Sequence, residues 1–422
     1  MLAITMQRID LVYFNAGGGH RAAALALQAA MAEQRRPWQV RLVNLFEVLD
    51  PQRTFDKVMG FAPEAFYNQR LARGWTFGLA QELKLLQGAI RLGHASLVRT
   101  LCAHWAATQP DLVVSLVPNF NRALYASVTQ ARPGVPFATV LTDMADHPPH
   151  FWIEPGQDQH VVCGTPLALA QARAAGYDDR RLSLTSGMIL RPDFYRPVVQ
   201  DRAAERRSLG LDPDRPTGVV MFGGHGSMQM ARIAQALPQV QLVLLCGHNQ
   251  ALVRKLGRLA PTAAHAPHAV LGFTPEVSRY MRLGDFFIGK PGPASLSEAV
   301  QLGLPVITFE NASTMPQERW NAHWVREQGL GLVVKSTRTL AQTVAELTAR
   351  LPEFQARVRQ VDNRAVFEIL EIFGGLLHAA ALARHPSCME TVKASVKARL
   401  APQPALRPQS AAPAHSSTLA PP

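Results

Sequence analysis

The residues of this chain that could do chemistry gather where short apolar runs end. The run Ile9 to Asn15 empties into Ala16-Gly17-Gly18-Gly19, and His20 follows at the mouth of an alanine-rich helical stretch. Three consecutive glycines let a backbone approach a ligand closely, and a histidine placed there faces a cleft; its plainer use is to open the helix. The loop from Thr142 to His150, TDMADHPPH, carries Asp143, Asp146, His147 and His150. Such a set serves acid–base work or ligand positioning, and exposed loops also hold it for solubility alone. A third stretch, DFFIGKPGPASLSEAVQLGLPVITFENASTMPQERWN from Asp285 to Asn321, sets Lys290, Gly292, Ser295 and Glu298 around a loop at a helix start. Unpaired backbone N–H groups and the positive helix end there suit a phosphate-bearing ligand. Ser295 and Glu298 also have the spacing of a capping box, a purely structural use.

The elements that must position these groups alternate regularly. Apolar runs at Ile9–Asn15, Gln39–Val48, Asp111–Val117, Phe137–Thr142, His160–Cys163 and Leu182–Leu184 read as strands of a first, mostly parallel sheet. The stretch from Arg191 to Pro216 is rich in proline and charge and reads as a linker. The pattern then restarts at Gly218–Phe222, Gln241–Leu245, Val270–Phe273, Asp285–Ile288, Pro305–Phe309 and Leu330–Val334. Glycine loops Gly223-Gly224-His225-Gly226 and Cys246-Gly247-His248-Asn249 follow two of these runs. The fold class is α/β, and ligands of doubly wound sheets sit at the carboxyl ends of the strands.

The 422 residues, 47% hydrophobic, suffice for two domains. No apolar run is long enough to cross a bilayer and no secretory signal is recognised, so the expected location is cytoplasmic. Cys102, Cys163, Cys246 and Cys388 lack the close spacing of a zinc site or disulfide framework, and Cys163 and Cys246 read as core thiols. A net charge of +12 calls for an acidic partner. No zinc-finger, basic-zipper or aromatic RNA-binding signature accompanies it, so nucleic acid is not expected. Between Arg53 and Arg99, aromatic residues interleave with basic ones, which suits an interface with anionic lipid headgroups or, more plainly, amphipathic helices with solvated basic faces. Beyond Pro386 the composition is that of a disordered, mildly basic tail.

Taken in order, Gly17-Gly18-Gly19-His20-Arg21, Thr142-Asp143 with His147-Pro148 and Phe151-Trp152-Ile153, Gly187 to Pro192, Gly223 to Gly226, Cys246 to Asn249, Gly272-Phe273-Thr274, Lys290 to Pro293 with Glu298-Ala299, and Pro316-Gln317-Glu318 with Asn321 resemble the monogalactosyldiacylglycerol synthase and processive diacylglycerol glucosyltransferase family. The resemblance implies a GT-B architecture of two Rossmann-like domains facing a cleft. It implies an acceptor domain over 1–195, a donor domain over 196–365, a helix over 366–385 returning to the first domain, and the tail over 386–422. The implied reaction is inverting transfer of galactose or glucose from a UDP-sugar to diacylglycerol, peripheral on the inner face of an anionic membrane, with no metal or other cofactor. His20 would be the acceptor-side base, or a residue that orients the acceptor hydroxyl, with Asp143 supporting it. Gly19, Gly223, Gly224, Phe273, Lys290, Gly292, Ser295 and Glu298 would surround UDP, and Gln317 and Asn321 would face the sugar. Alternatives sharing the architecture are a MurG-like transferase to a polyprenyl-linked acceptor, a UDP-sugar 2-epimerase and a non-catalytic UDP-sugar sensor. Glu154 stands where the family often has histidine.

Overall fold

The computed structural model describes residues 6–15, 18–52, 79–197, 201–258, 266–312 and 314–384. Ala16-Gly17, most of the aromatic and basic stretch after Arg53, and the tail with Cys388 lie outside the described residues. Among the described residues, twelve strands form two parallel sheets of six. The first contains β1 (Gln7–Tyr13), β2 (Trp38–Asn44), β3 (Leu112–Ser115), β4 (Phe137–Val140), β5 (His160–Cys163) and β6 (Leu182–Leu184), in the order β2-β1-β3-β4-β5-β6. The second contains β7 (Thr217–Met221), β8 (Gln241–Leu245), β9 (His268–Leu271), β10 (Phe286–Gly289), β11 (Val306–Phe309) and β12 (Gly331–Val334), in the order β12-β11-β10-β7-β8-β9.

Helices cover both faces of each sheet, which is why the central strands are apolar without alternation: β3, β4, β7 and β10 are buried along their whole length. Cys163 and Cys246 are core thiols. The strand order reverses between β1 and β3 in the first sheet and between β7 and β10 in the second. At such a switch point, neighbouring strands send their connections to opposite faces and leave a crevice at the carboxyl edge. His20 leaves β1, Gly223-Gly224 leave β7 and Lys290-Pro291-Gly292 leave β10, so all three loops stand at these crevices.

The helix Ala365–Arg384 crosses to the first sheet, where Val366, Ile369, Leu370, Phe373 and Leu377 join the core of Ile9, Leu11, Leu27 and Leu112. At 20 residues and a mean hydropathy of 1.7, it is long and apolar enough to cross a membrane, which corrects the expectation that no such run exists. Its inner stripe is occupied by the core, which accounts for much of that apolar character. The two crossings between the domains are bonded together. Asn363 Nδ2 donates to the Met188 carbonyl at 2.9 Å, and Glu368 accepts from the Ser186 amide at 2.7 Å.

Three local readings are corrected. The run Gln39–Val48 is not one strand: Asn44 Oδ1 accepts from Phe46 N at 3.1 Å and starts a helix, Leu45–Leu49. The linker contains a helix, Arg202–Ser208, opened by Asp201 and held through buried Arg206. Ser295 and Glu298 do not form a capping box, because the helix Pro293–Gln301 starts at Gly292 with no side-chain cap.

Candidate active site

The crevices of the two sheets merge into one cavity of about 1200 Å³. That exceeds the usual volume of a single small-molecule site, roughly 300–1,000 Å³. On the second domain its wall includes Gly223, Gly224, Phe273, Lys290, Gly292, Ser295, Glu298 and Gln317. On the first it includes Gly19, His20, Thr142 and Asp143, and beyond them an apolar arm formed by Phe46, Leu83, Leu86, Ile90 and Leu97. Asn321 is absent from this wall. It is fully buried, and its Nδ2 donates to the Pro291 carbonyl at 2.7 Å, so it braces the Lys290–Gly292 loop from behind.

The glycines have steric reasons. Gly18 opens the helix Gly19–Glu33 with φ at +83°, in the left-handed region that favours glycine. Gly247 has φ at +57°, and a Cβ there would stand 2.1 Å from the Gly224 carbonyl oxygen. That carbonyl accepts from His248 N at 2.9 Å, so two glycine loops are clipped edge to edge. Phe273, 59% exposed at the rim, stacks on His248 with centroids 4.0 Å apart.

On the acceptor side, His20 pairs with Thr142 rather than Asp143: Nδ1 lies 3.0 Å from Thr142 Oγ1. Burial pulls the imidazole down to about 4 against the opposing Leu116 carbonyl, so the ring is neutral near pH 7. Asp143 instead accepts from the indole Nε1 of fully buried Trp152 at 2.9 Å, and the Trp152 ring lies 5.8 Å from His20. Burial pushes Asp143 up to about 7 despite that hydrogen bond; Glu318 adds to the rise and Lys290 opposes it. Both of these belong to the second domain, so the walls sense each other's charge. Glu298 is likewise pushed to about 7 by burial, against the attraction of Arg191.

Four residues near the chemistry were not singled out individually from sequence. Thr142 and Trp152 lay within a quoted motif, but their bonds to His20 and Asp143 depend on how the loop folds back. Arg191 lines the cavity and donates to the Pro275 carbonyl at 3.0 Å, tying the linker to the second domain. Glu318 pairs with Lys290 at 2.6 Å. Among the described residues, no group of three or more His, Cys, Asp or Glu side chains is arranged to hold a metal ion.

Two facing Rossmann-like domains with glycine loops on a shared cleft define the GT-B architecture of glycosyltransferases. More particularly, residues 226–368 match the glycosyltransferase family 28 C-terminal domain, and the chain is similar to proteins named for diacylglycerol glycosylation. It is 28% identical over 369 residues to a probable chloroplastic monogalactosyldiacylglycerol synthase of Glycine max, across 81% of this chain and 65% of the relative, just under two thirds of that protein's length. It is 26% identical to a processive diacylglycerol beta-glucosyltransferase of Staphylococcus carnosus, across 68% of this chain and 71% of the relative. The crystal structure of Acinetobacter baumannii MurG superposes with a TM-score of 0.54, covering 87% of this chain and 99% of MurG at 14% identity, a likeness of fold alone.

Proposed function

We propose that this glycosyltransferase moves a hexose from a UDP-sugar to the free hydroxyl of diacylglycerol, with inversion, at the inner face of a membrane. The observation that carries the reading is the division of one cavity. A wall of backbone amides and a helix start meets an apolar arm across His20 and Asp143. Glycine loops and a helix N-terminus suit a diphosphate, whereas an arm of Leu83, Leu86, Ile90 and Leu97 suits an acyl chain. The related proteins named for diacylglycerol substrates support the same acceptor.

In the transfer, the acceptor oxygen attacks the anomeric carbon from the face opposite the phosphate. The bond from that carbon to the phosphate oxygen breaks, its electron pair leaves with UDP, and the hydroxyl proton passes to a base on the first domain. Neutral His20 has a free pair for this proton, and Thr142 orients its ring. Asp143, held by Trp152, supplies a nearby carboxyl poised near neutral pH that stabilises the resulting charge. Charge growing on UDP is met by amides at Gly223, Gly224, Ala294 and Ser295, already aligned before reaction. In this reading the diphosphate requires no metal. Phe273 borders the uracil, Glu298 the ribose and Gln317 the sugar.

Exposed Leu85, Leu86 and Leu92 lie on the helix Leu79–Leu92 beside exposed Arg91, and they support docking of the arm's mouth on an anionic membrane. The test is incubation with UDP-glucose, UDP-galactose or UDP-N-acetylglucosamine, with and without diacylglycerol liposomes. A hexosyl-diacylglycerol product is expected. Isomerised nucleotide sugar without lipid, transfer to a polyprenyl-linked acceptor alone, or donor binding without turnover on any lipid would each contradict it.

A further inference from the structure

Lys290 closes β10 at the edge of the donor crevice, and the helix Pro293–Gln301 begins three residues later. Its loop is fixed: Asn321 holds the Pro291 carbonyl, and Thr308 Oγ1 donates to the Gly289 carbonyl at 2.9 Å. The ammonium lies 2.6 Å from Glu318 Oε1, and Glu318 is only 6% exposed. Both groups converge over the helix start. A Cβ placed on Gly292 would stand 3.7 Å from Lys290 Nζ and 3.6 Å from Glu318 Oε1. Among the described residues lining the cavity, the lysine and arginine side chains are Lys290 and Arg191. Arg191 is already engaged by Asp193 and the Pro275 carbonyl.

We infer that Glu318 is a resident anion that holds Lys290 at the place of the departing diphosphate, and that Lys290 turns an N–H to that diphosphate as the sugar leaves. The inference rests on the donor reading above and deepens it. An ammonium has three donors, so it can serve a phosphate oxygen while keeping one hydrogen bond to Glu318. The carboxylate competes with the phosphate for the same positive charge, so the ammonium's pull grows as negative charge develops on the leaving oxygen. The electron pair of the broken bond resides on UDP.

The test is calorimetric titration of UDP alone into the full chain and its variants, which removes any contact of Glu318 with sugar. Glu318→Gln removes the competing charge, and UDP affinity should rise on the order of tenfold. Lys290→Met should lower it by a similar factor, and in the double variant the gain from glutamine should vanish. Where Lys290→Met does not fold, Lys290→Gln serves the same comparison. In turnover, Lys290→Met should lower kcat more than it raises KM. A Glu318→Gln chain that binds UDP no better than the wild type, or a gain that persists without Lys290, overturns the inference alone. A wild-type chain that binds no UDP overturns the donor reading with it.

Discussion

At the scale of single residues, binding and proton transfer fall to different side chains. His20 touches Thr142 from the first turn of the first-domain helix Gly19–Glu33, on the wall opposite the second-domain amides assigned to UDP. His20→Ala should therefore leave UDP affinity unchanged in a binding titration while transfer falls by about 10²–10⁴-fold, the usual worth of a positioned base. Asp143 yields a pH signature. Its folded value of about 7 lies above the ordinary 3.8, so between those values the folded chain keeps a proton that the unfolded chain releases. Raising the pH through that window costs the native state stability. Thermal unfolding from pH 4 to 8 should show wild type losing stability relative to Asp143→Asn as pH rises. A wild type that instead gains stability relative to the variant would mean that Asp143 is held ionised by a partner.

At the scale of elements, the sequence was legible where both faces of a strand are covered. The twelve apolar runs correspond to the twelve strands, and three, His160–Cys163, Leu182–Leu184 and Gln241–Leu245, have the expected ends. What escaped was set by side-chain direction. Asn44 turns its oxygen onto Phe46 N and converts the end of a long apolar run into a helix. Gly292 takes the helix start from Ser295 because Pro293 at the first turn needs no N–H partner. The Lys290–Glu318 pair spans 28 residues and exists only once β11 has brought the Pro316 turn back beside β10. Gly247 shows how far a loop depends on its neighbour. Gly247→Ala would drive a Cβ into the Gly224 carbonyl in a backbone region alanine disfavours, so a loss of about 1–3 kcal/mol is expected by denaturant unfolding, with weaker UDP binding. Unchanged stability would show that the two loops move apart freely.

At the scale of the whole molecule, charge and apolar surface act together. The chain carries a net +12, and Leu85, Leu86 and Leu92 are exposed on one helix. Binding to anionic vesicles should weaken as salt rises from low to physiological strength, where the screening length is about 8 Å, and a residual salt-independent part should remain from apolar insertion. Flotation with vesicles across a salt series measures both parts, and equal binding to neutral and anionic vesicles would remove the electrostatic one. Everything in the proposed chemistry presupposes that the cleft between the sheets receives a nucleoside diphosphate on its second-domain wall. The direct measurement is a crystal structure of the chain with UDP. The diphosphate is expected against Gly223, Gly224, Lys290 and the amides of Ala294 and Ser295, with the terminal phosphate directed toward His20. UDP seated outside this cleft, or with its terminal phosphate directed away from His20, would contradict it.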